Sequence, residues 1–173
     1  MKIIPFPFAA IAMLALATAT PGFAQAPVTS QAAFNKLKTL AGDWRGTVGQ
    51  QGAGEEISVN YRTTSNGSVV METLFPGTDH EMVTLYHLEA DKLVLTHYCA
   101  MGNQPKMALT KASTENQLVF DFVGGANLKP KTDTHMHSGR IQFVSKDAVT
   151  AEWDTFQQGK KSGTNKFFLA RKA

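Results

Sequence analysis

Cysteine is almost absent from this sequence, because Cys99 is the only one among 173 residues. A single thiol cannot form an internal disulfide, even in an oxidising compartment. Dense basic runs are absent too, since Lys and Arg alternate with acidic residues and the formal net charge is only +3. These absences argue against a disulfide-stapled domain and against nucleic acid or anionic lipid as a partner.

Recognisable catalytic motifs are also missing. The sequence has no nucleophile elbow, no zinc-binding helix of the HExxH type and no phosphate-binding loop. We therefore assign no catalytic residue. No repeat, long linker or low-complexity segment interrupts residues 30–172, which we expect to form one domain of about 150 residues.

The N-terminal residues have the pattern of a secretory signal. The stretch "MKIIPFPFAAIAMLALATATPGFAQA" combines Lys2, an apolar run and small residues at two possible cleavage sites. This pattern predicts a signal peptide over residues 1–24, with cleavage after Ala24. The run is short and contains Pro21, so it is a poor transmembrane anchor. We expect a periplasmic or secreted protein without an integral membrane anchor.

One helix and about ten strands are predicted after this segment. Helical spacing in "SQAAFNKLKTLAG" indicates a helix over 30–42, with Ser30 as its cap and Gly42 at its end. Alternation bounded by turn residues predicts strands at 43–50, 55–64, 68–75, 80–88, 92–100, 105–113, 117–123, 134–144, 149–157 and 164–172. This pattern favours an all-β, up-and-down antiparallel barrel, in which closure removes the exposed edges.

Connection lengths predict two different ends for this barrel. The connections after even-numbered strands are the tight turns "SNG", "EAD", "STEN" and "SKDA". Those after odd-numbered strands are "QQGAG", "PGTD", "MGNQP", "GGANLKPKTD" and "QGKKSG", which are mostly longer. Because one parity of connection lies at one end of such a barrel, we expect an open end of long loops. The helix precedes the first strand and can close the other end.

Alternation also predicts which side chains face inward. We place Ile57, Val59 and Tyr61 inside, and likewise Leu118, Phe120 and Phe122 with Asp121 outside. In the third strand we place Val69, Met71, Thr73 and Phe75 inside and Glu72 outside. The face of Trp153 is left open, because the preceding turn does not fix its register.

The hairpin 80–101 contains the first candidate site residues. Its turn predicts that Leu88 pairs with Leu93, which places Tyr86 opposite Leu95 and Thr84 opposite His97. In this register His80, Met82 and Cys99 also face inward, whereas His87 and Tyr98 face outward.

A second pair of histidines lies in "DTHMHSGRIQF". Simple alternation puts His135 and His137 on the face of Ile141 and Phe143, near the long-loop end. We therefore expect His80, His97, Cys99, His135 and His137 to converge at that end.

Three interpretations of this cluster are open. It could bind a small amphipathic molecule, with candidate ligand-binding residues His80, Met82, Thr84, Tyr86, His97, Cys99, His135 and His137. It could hold zinc or copper, with His97, Cys99, His135 and His137 as candidate donors. It could also be a structural plug in which the histidines bond to Thr73, Thr84 and Tyr86.

Two parts of the sequence resemble known barrel families. "GDW" at the start of the first strand and Arg171 in the last are similar to the Gly-x-Trp and late-Arg pair of the lipocalin, or calycin, superfamily. The stretch "ETLFPGTDHEMVTLYHLEADKLVLTHYCAMGNQPKM" resembles an uncharacterised family of secreted bacterial lipocalin-like proteins. The resemblance covers residues 30–172 and implies a calycin barrel, in which Trp44 and Arg171 would stack as structural residues.

The strand count is distantly similar to that of nitrobindin, which binds haem through a histidine near its C-terminus. Here the last strand, "NKFFLARKA", contains no histidine, so haem of the nitrobindin type is not expected.

We favour a non-enzymatic protein that binds a small apolar or amphipathic ligand in the barrel cup. One alternative is a metal- or histidine-dependent enzyme acting on a ligand in the same cup. Another is a protein-interaction barrel without a cavity.

Overall fold

A closed ten-stranded antiparallel barrel forms the body of the protein in the computed structural model, which describes residues 27–49 and 52–172. The predicted signal peptide lies outside the described residues. The elements are α1 Ser30–Lys38, β1 Gly42–Val48, β2 Glu55–Thr64, β3 Val69–Leu74, β4 Met82–Glu89, β5 Lys92–Tyr98, β6 Gln104–Leu109, β7 Gln117–Ala126, β8 His135–Ser145, β9 Ala148–Gln157 and β10 Lys160–Arg171.

Each strand pairs with its neighbours in sequence, and β1 pairs with β10 to close the sheet. The predicted fold class is therefore confirmed. Within the described ranges, no helix combines the length and the apolar character needed to cross a membrane.

The N-cap of the helix lies one residue before the predicted one. Thr29, not Ser30, is the N-cap, and its hydroxyl accepts a hydrogen bond from the Ala32 N–H at 3.2 Å. The helix ends at Lys38, earlier than the predicted residue 42. Ala33, Phe34 and Leu37 form its buried face, which packs over the end of the barrel.

Trp44 and Arg171 fasten this closed end, as the lipocalin resemblance implied. The Arg171 guanidinium lies 4.4 Å from the centre of the buried Trp44 ring. It donates hydrogen bonds to the carbonyls of Ala41, Thr39 and Lys146 at 2.7, 2.9 and 3.3 Å. The indole N–H of Trp44 donates to the Leu40 carbonyl at 2.7 Å. Arg171 and Trp44 thus connect the segment at the C-terminal end of the helix with β1, β10 and the turn before β9.

The short connections lie at the helix end of the barrel, as predicted. The connections that were predicted to be long lie at the opposite end, and one of them is shorter than predicted. The expected loop "QGKKSG" is a two-residue turn at Gln158 and Gly159, because β10 begins at Lys160. Both turn residues have positive φ, 52° and 71°, as a tight hairpin requires. A register shift between Lys161 and Gly163 then absorbs an extra residue.

The inward faces of β2 and β7 agree with the predicted alternation. Ile57, Val59 and Tyr61 are buried, as are Leu118 and Phe120, while Asp121 is exposed. The predicted register of β4 and β5 is also confirmed, with Leu88 opposite Leu93, Tyr86 opposite Leu95 and Thr84 opposite His97.

The predicted face of β3 is wrong. Val70, Glu72 and Leu74 face the interior, and each is buried to 3% exposure or less. Glu72 pairs with Tyr61 of β2 and with Thr84 of β4, both of which face inward. Alternation failed here because a carboxylate was assumed to need solvent, whereas the interior supplies hydrogen-bond donors for it.

Candidate functional site: a cavity at the long-loop end

A cavity of about 200 Å³ lies inside the barrel at its long-loop end and is partly open to solvent. Its walls come from the ends of strands that meet there. The lining is mostly apolar, from Val48, Leu74, Phe75, Met82, Met136 and Phe167. Its polar members are Glu55, His97, Trp153 and Asn165.

His97 is one of two buried polar residues of this cavity, with only 2% of its surface exposed. Its Nδ1 lies 3.0 Å from the Thr84 hydroxyl, and its ring stacks on Trp153 with centroids 5.7 Å apart. Its Nε2 is buried and has no hydrogen-bond partner. Burial lowers the pKa of His97 to about 4, so the imidazole is neutral at neutral pH.

Trp153, whose orientation the sequence left open, faces inward and is 3% exposed. Its indole N–H is also buried without a partner. Gly139 of β8 lies directly opposite, and a Cβ atom there would come within 2.8 Å of the indole ring. The absence of a side chain at Gly139 therefore lets the indole lie across β8 and reach His97.

A buried carboxylate lies behind His97. Glu72 accepts hydrogen bonds from Tyr61 at 2.5 Å and from Tyr86 at 2.9 Å. Burial raises the pKa of the Glu72 carboxyl, and the hydroxyls of Tyr61, Tyr86 and Thr84 partly offset this by hydrogen bonding to it. Thr84 thus connects the carboxylate to His97. Glu72 was not among the site residues predicted from the sequence, although the inward-facing residues opposite it, Tyr61 and Thr84, were a usable signal.

His135 and His137 form a separate cluster from His97. His135 Nε2 lies 3.0 Å from His137 Nδ1, and His137 is stacked between Phe122 and Phe156. The buried His135 also bonds through Nδ1 to the Asp133 carbonyl at 2.9 Å. The pairing of β7 with β8 ends at Asp121 and Ser138. The cluster lies past that pair, where the two strands are no longer paired.

The expected face of His135 is wrong, because a register shift lies between Met136 and Ser138. One extra residue in β8 inverts the alternation. His135 pairs with Phe156, whereas Ile141 pairs with the inward Ala151. Met136 therefore lines the cavity together with His97. Burial lowers the pKa of His137, and the neighbouring His135 lowers it further.

His80 does not join either cluster. It is exposed in the loop before β4, which begins at Met82 rather than at residue 80 as predicted. Its backbone N–H bonds to the Thr78 hydroxyl, so a turn replaces the expected start of the strand. His87 lies on the outer face beside Glu89, as expected, at 3.3 Å.

The remaining candidates from the hairpin are all buried or partly buried. Met82 lines the cavity, and Tyr86 bonds to Glu72. Cys99 lies just beyond β5, where its N–H bonds to the Asn103 carbonyl at 3.1 Å. Burial raises the pKa of the Cys99 thiol, which is therefore protonated at neutral pH.

The four candidate metal donors are not brought together. Among residues 27–49 and 52–172, no group of three or more His, Cys, Asp or Glu side chains is arranged to hold a metal ion. Instead, His97 contacts Thr84 and Trp153, while His135 and His137 contact each other and two phenylalanines.

A larger hollow of about 630 Å³ lies on the outer surface, beside β1, β2 and the loop after β3. Arg45, Glu56 and Ser58 are exposed there. Within the described part of the chain, three buried side-chain atoms lack hydrogen-bond partners, namely His97 Nε2, Trp153 Nε1 and Asn103 Oδ1. None of these residues lines the outer hollow, whereas two of them line the interior cavity.

No protein-family model matches this sequence, and no curated protein matches it. Among solved structures, the chain is similar to a protein of unknown function from the DUF3598 family of Nostoc punctiforme. The identity is 10% and the TM-score 0.49, over 78% of this chain and 48% of that one. The chain thus spans about half the length of that structure. The protein described here is a closed ten-stranded barrel of unknown function.

Proposed function

We propose that this barrel binds one small, mostly apolar molecule in the cavity at its long-loop end, without carrying out chemistry on it. The supporting observation is the combination of an apolar lining with two buried nitrogens that have no partner, His97 Nε2 and Trp153 Nε1. An unpaired buried polar group costs about 1–3 kcal/mol. A bound molecule that pairs with these nitrogens would recover that free energy.

The volume limits the size of the molecule. Pockets for drug-sized ligands usually have about 300–1,000 Å³, whereas this cavity has about 200 Å³. Since a water molecule occupies roughly 30 Å³ in the liquid, the space corresponds to about six or seven waters. A single aromatic ring with one or two substituents fits this limit, and a haem does not.

The two alternative functions have less support. A metal-dependent enzyme would need a set of donors, and the described residues form no such group. A histidine acting as a base would need a pKa near the working pH, whereas the pKa of His97 is lowered to about 4. A barrel built only for protein interaction was expected to have a filled interior, and this one has a cavity beside His97.

Membership of the lipocalin-like family and export from the cytoplasm are part of the same proposal. The stacked pair of Trp44 and Arg171 supports the family, and the pattern of residues 1–24 supports a periplasmic or secreted location. Mass spectrometry of the mature protein tests the location, because cleavage after Ala24 leaves Gln25 as the first residue. An unprocessed N-terminus on protein from the periplasm and medium would contradict it.

Native mass spectrometry of protein purified from its own compartment tests ligand binding. We expect a bound species of small mass, released when the protein is unfolded. Met136 lines the cavity, so the larger side chain of Met136→Trp should fill the cavity and abolish the bound species. Met71→Trp is the matched control, because Met71 lies on β3 beside the inward Glu72 and does not line the cavity. Mature protein without any bound species, or equal loss in both variants, would contradict the proposal.

A further inference from the structure

We infer that the molecule bound in this cavity is uncharged and carries a polar group that both donates and accepts a hydrogen bond, such as a hydroxyl or a secondary amide. This inference rests on the proposed function and specifies the chemistry of the ligand. It follows from the hydrogen-bond roles of His97 and Trp153, and from the charges around the cavity.

The side chains behind His97 converge on the carboxyl group of Glu72. An ionised carboxylate can only accept hydrogen bonds. Tyr61 donates to one carboxyl oxygen of Glu72, and Tyr86 donates to the other. Thr84 lies directly across the strand pair from Glu72, and hydrogen bonding by its hydroxyl lowers the pKa of the carboxyl. Three hydroxyl donors therefore converge on Glu72, which is the arrangement that suits its ionised form.

The Thr84 hydroxyl determines which nitrogen of His97 carries the proton. A hydroxyl has one proton, and Thr84 gives it to Glu72, so its oxygen can only accept from His97 Nδ1 at 3.0 Å. A neutral imidazole has one N–H and one bare nitrogen. With the proton on Nδ1, the unpartnered Nε2 is a hydrogen-bond acceptor. A ligand that pairs with it must supply an O–H or N–H donor.

Trp153 supplies the second unpaired group. An indole nitrogen can only donate, and that of Trp153 is buried without an acceptor. A ligand that satisfies it must offer a lone pair. The two rings are stacked with centroids 5.7 Å apart, and both residues line the cavity. We therefore infer that one hydroxyl or amide of the ligand pairs with both nitrogens.

Neither an anion nor an ammonium matches the groups that line the cavity. Among the described residues that line the cavity there is no Lys or Arg, and the only charged side chain is that of Glu55. A carboxylate ligand would therefore lack a counter-ion and would have no proton for His97. An ammonium could donate to His97, but it has no lone pair for Trp153.

Binding of matched probes tests this chemistry. Para-cresol and para-xylene have nearly the same shape, but only para-cresol has a group that donates and accepts. Titration of the mature protein at about pH 8 should show para-cresol binding roughly 10–100-fold more tightly than para-xylene. Para-toluate and benzylammonium should bind more weakly than para-cresol by at least the same factor.

A second measurement addresses the tautomer without using any ligand. The ¹⁵N chemical shifts of His97 in the wild-type protein should show a protonated Nδ1 and a bare Nε2. In Thr84→Val the hydroxyl that accepts from Nδ1 is lost, so the proton is free to move to Nε2, and the preference for para-cresol should decrease. Thr96→Val is the control, because Thr96 lies on β5 one residue before His97, away from Glu72, and should leave both readouts unchanged.

The possible results separate the inference from the proposed function. Equal affinity for para-cresol and para-xylene, both abolished by Met136→Trp, would overturn the inference and leave the proposed function standing. A wild-type His97 protonated on Nε2 would overturn the inference by itself. If none of the four probes binds, both the inference and the proposed function fail.

Discussion

The two ends of this barrel each bury one tryptophan, but they treat its indole N–H differently. Trp44 at the helix end is 1% exposed and donates to the Leu40 carbonyl at 2.7 Å. Trp153 at the long-loop end is 3% exposed and has no acceptor. The same side chain is thus fully paired at one end and left unpaired at the other.

The guanidinium and the imidazole next to these indoles show the same contrast. Arg171 covers Trp44 and donates to three carbonyls. His97 stacks on Trp153, bonds through one nitrogen to Thr84 and leaves the other without a partner. Since buried polar groups are nearly always paired, the helix end has the pairing expected of a stable core, whereas the unpaired groups at the long-loop end are those on which the proposed binding site depends.

The largest expected effect is at the helix end. Trp44→Ala should lower the free energy of unfolding by about 3–5 kcal/mol, because it creates a cavity and leaves the Leu40 carbonyl unpaired. Urea denaturation followed by circular dichroism would measure it. A loss below about 1 kcal/mol would show that this end does not anchor the fold.

At the long-loop end, acid should destabilise the protein through His97. Its pKa in the folded protein, about 4, lies below the ordinary value of 6.5, so unfolding takes up a proton between these values. The stabilising contribution is complete above about pH 6.5 and is lost as pH falls toward 4, by roughly 3 kcal/mol in total.

Denaturation from about pH 7 to pH 4 would show this loss as a difference between wild type and His97→Phe, which has no such proton. His87→Phe on the outer face should keep the wild-type slope. Identical slopes for wild type and His97→Phe would contradict the buried, neutral imidazole.

Arg171→Met should have an intermediate effect, a loss of about 2 kcal/mol, because several backbone carbonyls lose a charged donor. Arg171→Lys should recover only part of it, since an ammonium cannot reproduce the planar fork of donors. Thermal and urea unfolding would measure both variants. Full recovery with lysine would mean that charge alone matters at this position.

Glu72→Gln should change the pH dependence of the free energy of unfolding in the opposite direction to His97→Phe. Burial raises the pKa of the Glu72 carboxyl, so the stability that it contributes is present below about pH 4.5 and is lost as pH rises through the folded pKa. The free energy of unfolding of wild type relative to Glu72→Gln should therefore fall as pH rises. A difference that does not vary with pH would refute the raised pKa.

The smallest expected effect is that of Trp153→Phe. It removes an N–H that has no partner, so the loss of ring volume and the relief of an unpaired donor should nearly cancel, within about 1 kcal/mol. Trp44→Phe is the matched variant and should cost more, because its N–H is paired. Equal costs in urea denaturation would remove the contrast between the two ends.

Most of the barrel was predictable because turn positions fix the register of neighbouring strands. The turn after β4 correctly placed Thr84 opposite His97, and loop lengths correctly placed the helix at one end. Alternation failed at β8, because a bulge at His137 inverts the faces. Nothing in the letters "HMHSG" marks that bulge.

The chemistry of the cavity was less predictable than its location. Glu72 was placed outside because a carboxylate usually needs solvent, and the donors that satisfy it lie on two other strands. The contact of His97 with Trp153 depends on Gly139 lying beneath the indole. Such contacts join residues distant in sequence, so local patterns do not reveal them.

The indole N–H signals of Trp44 and Trp153 give the most direct test of binding at the long-loop end. They can be followed in ¹H–¹⁵N NMR spectra of the mature protein as para-cresol is added. We predict a saturable downfield shift of the Trp153 N–H, which gains an acceptor, and no change at Trp44, which is already paired. Two unchanged signals, or equal shifts at both indoles, would contradict the account.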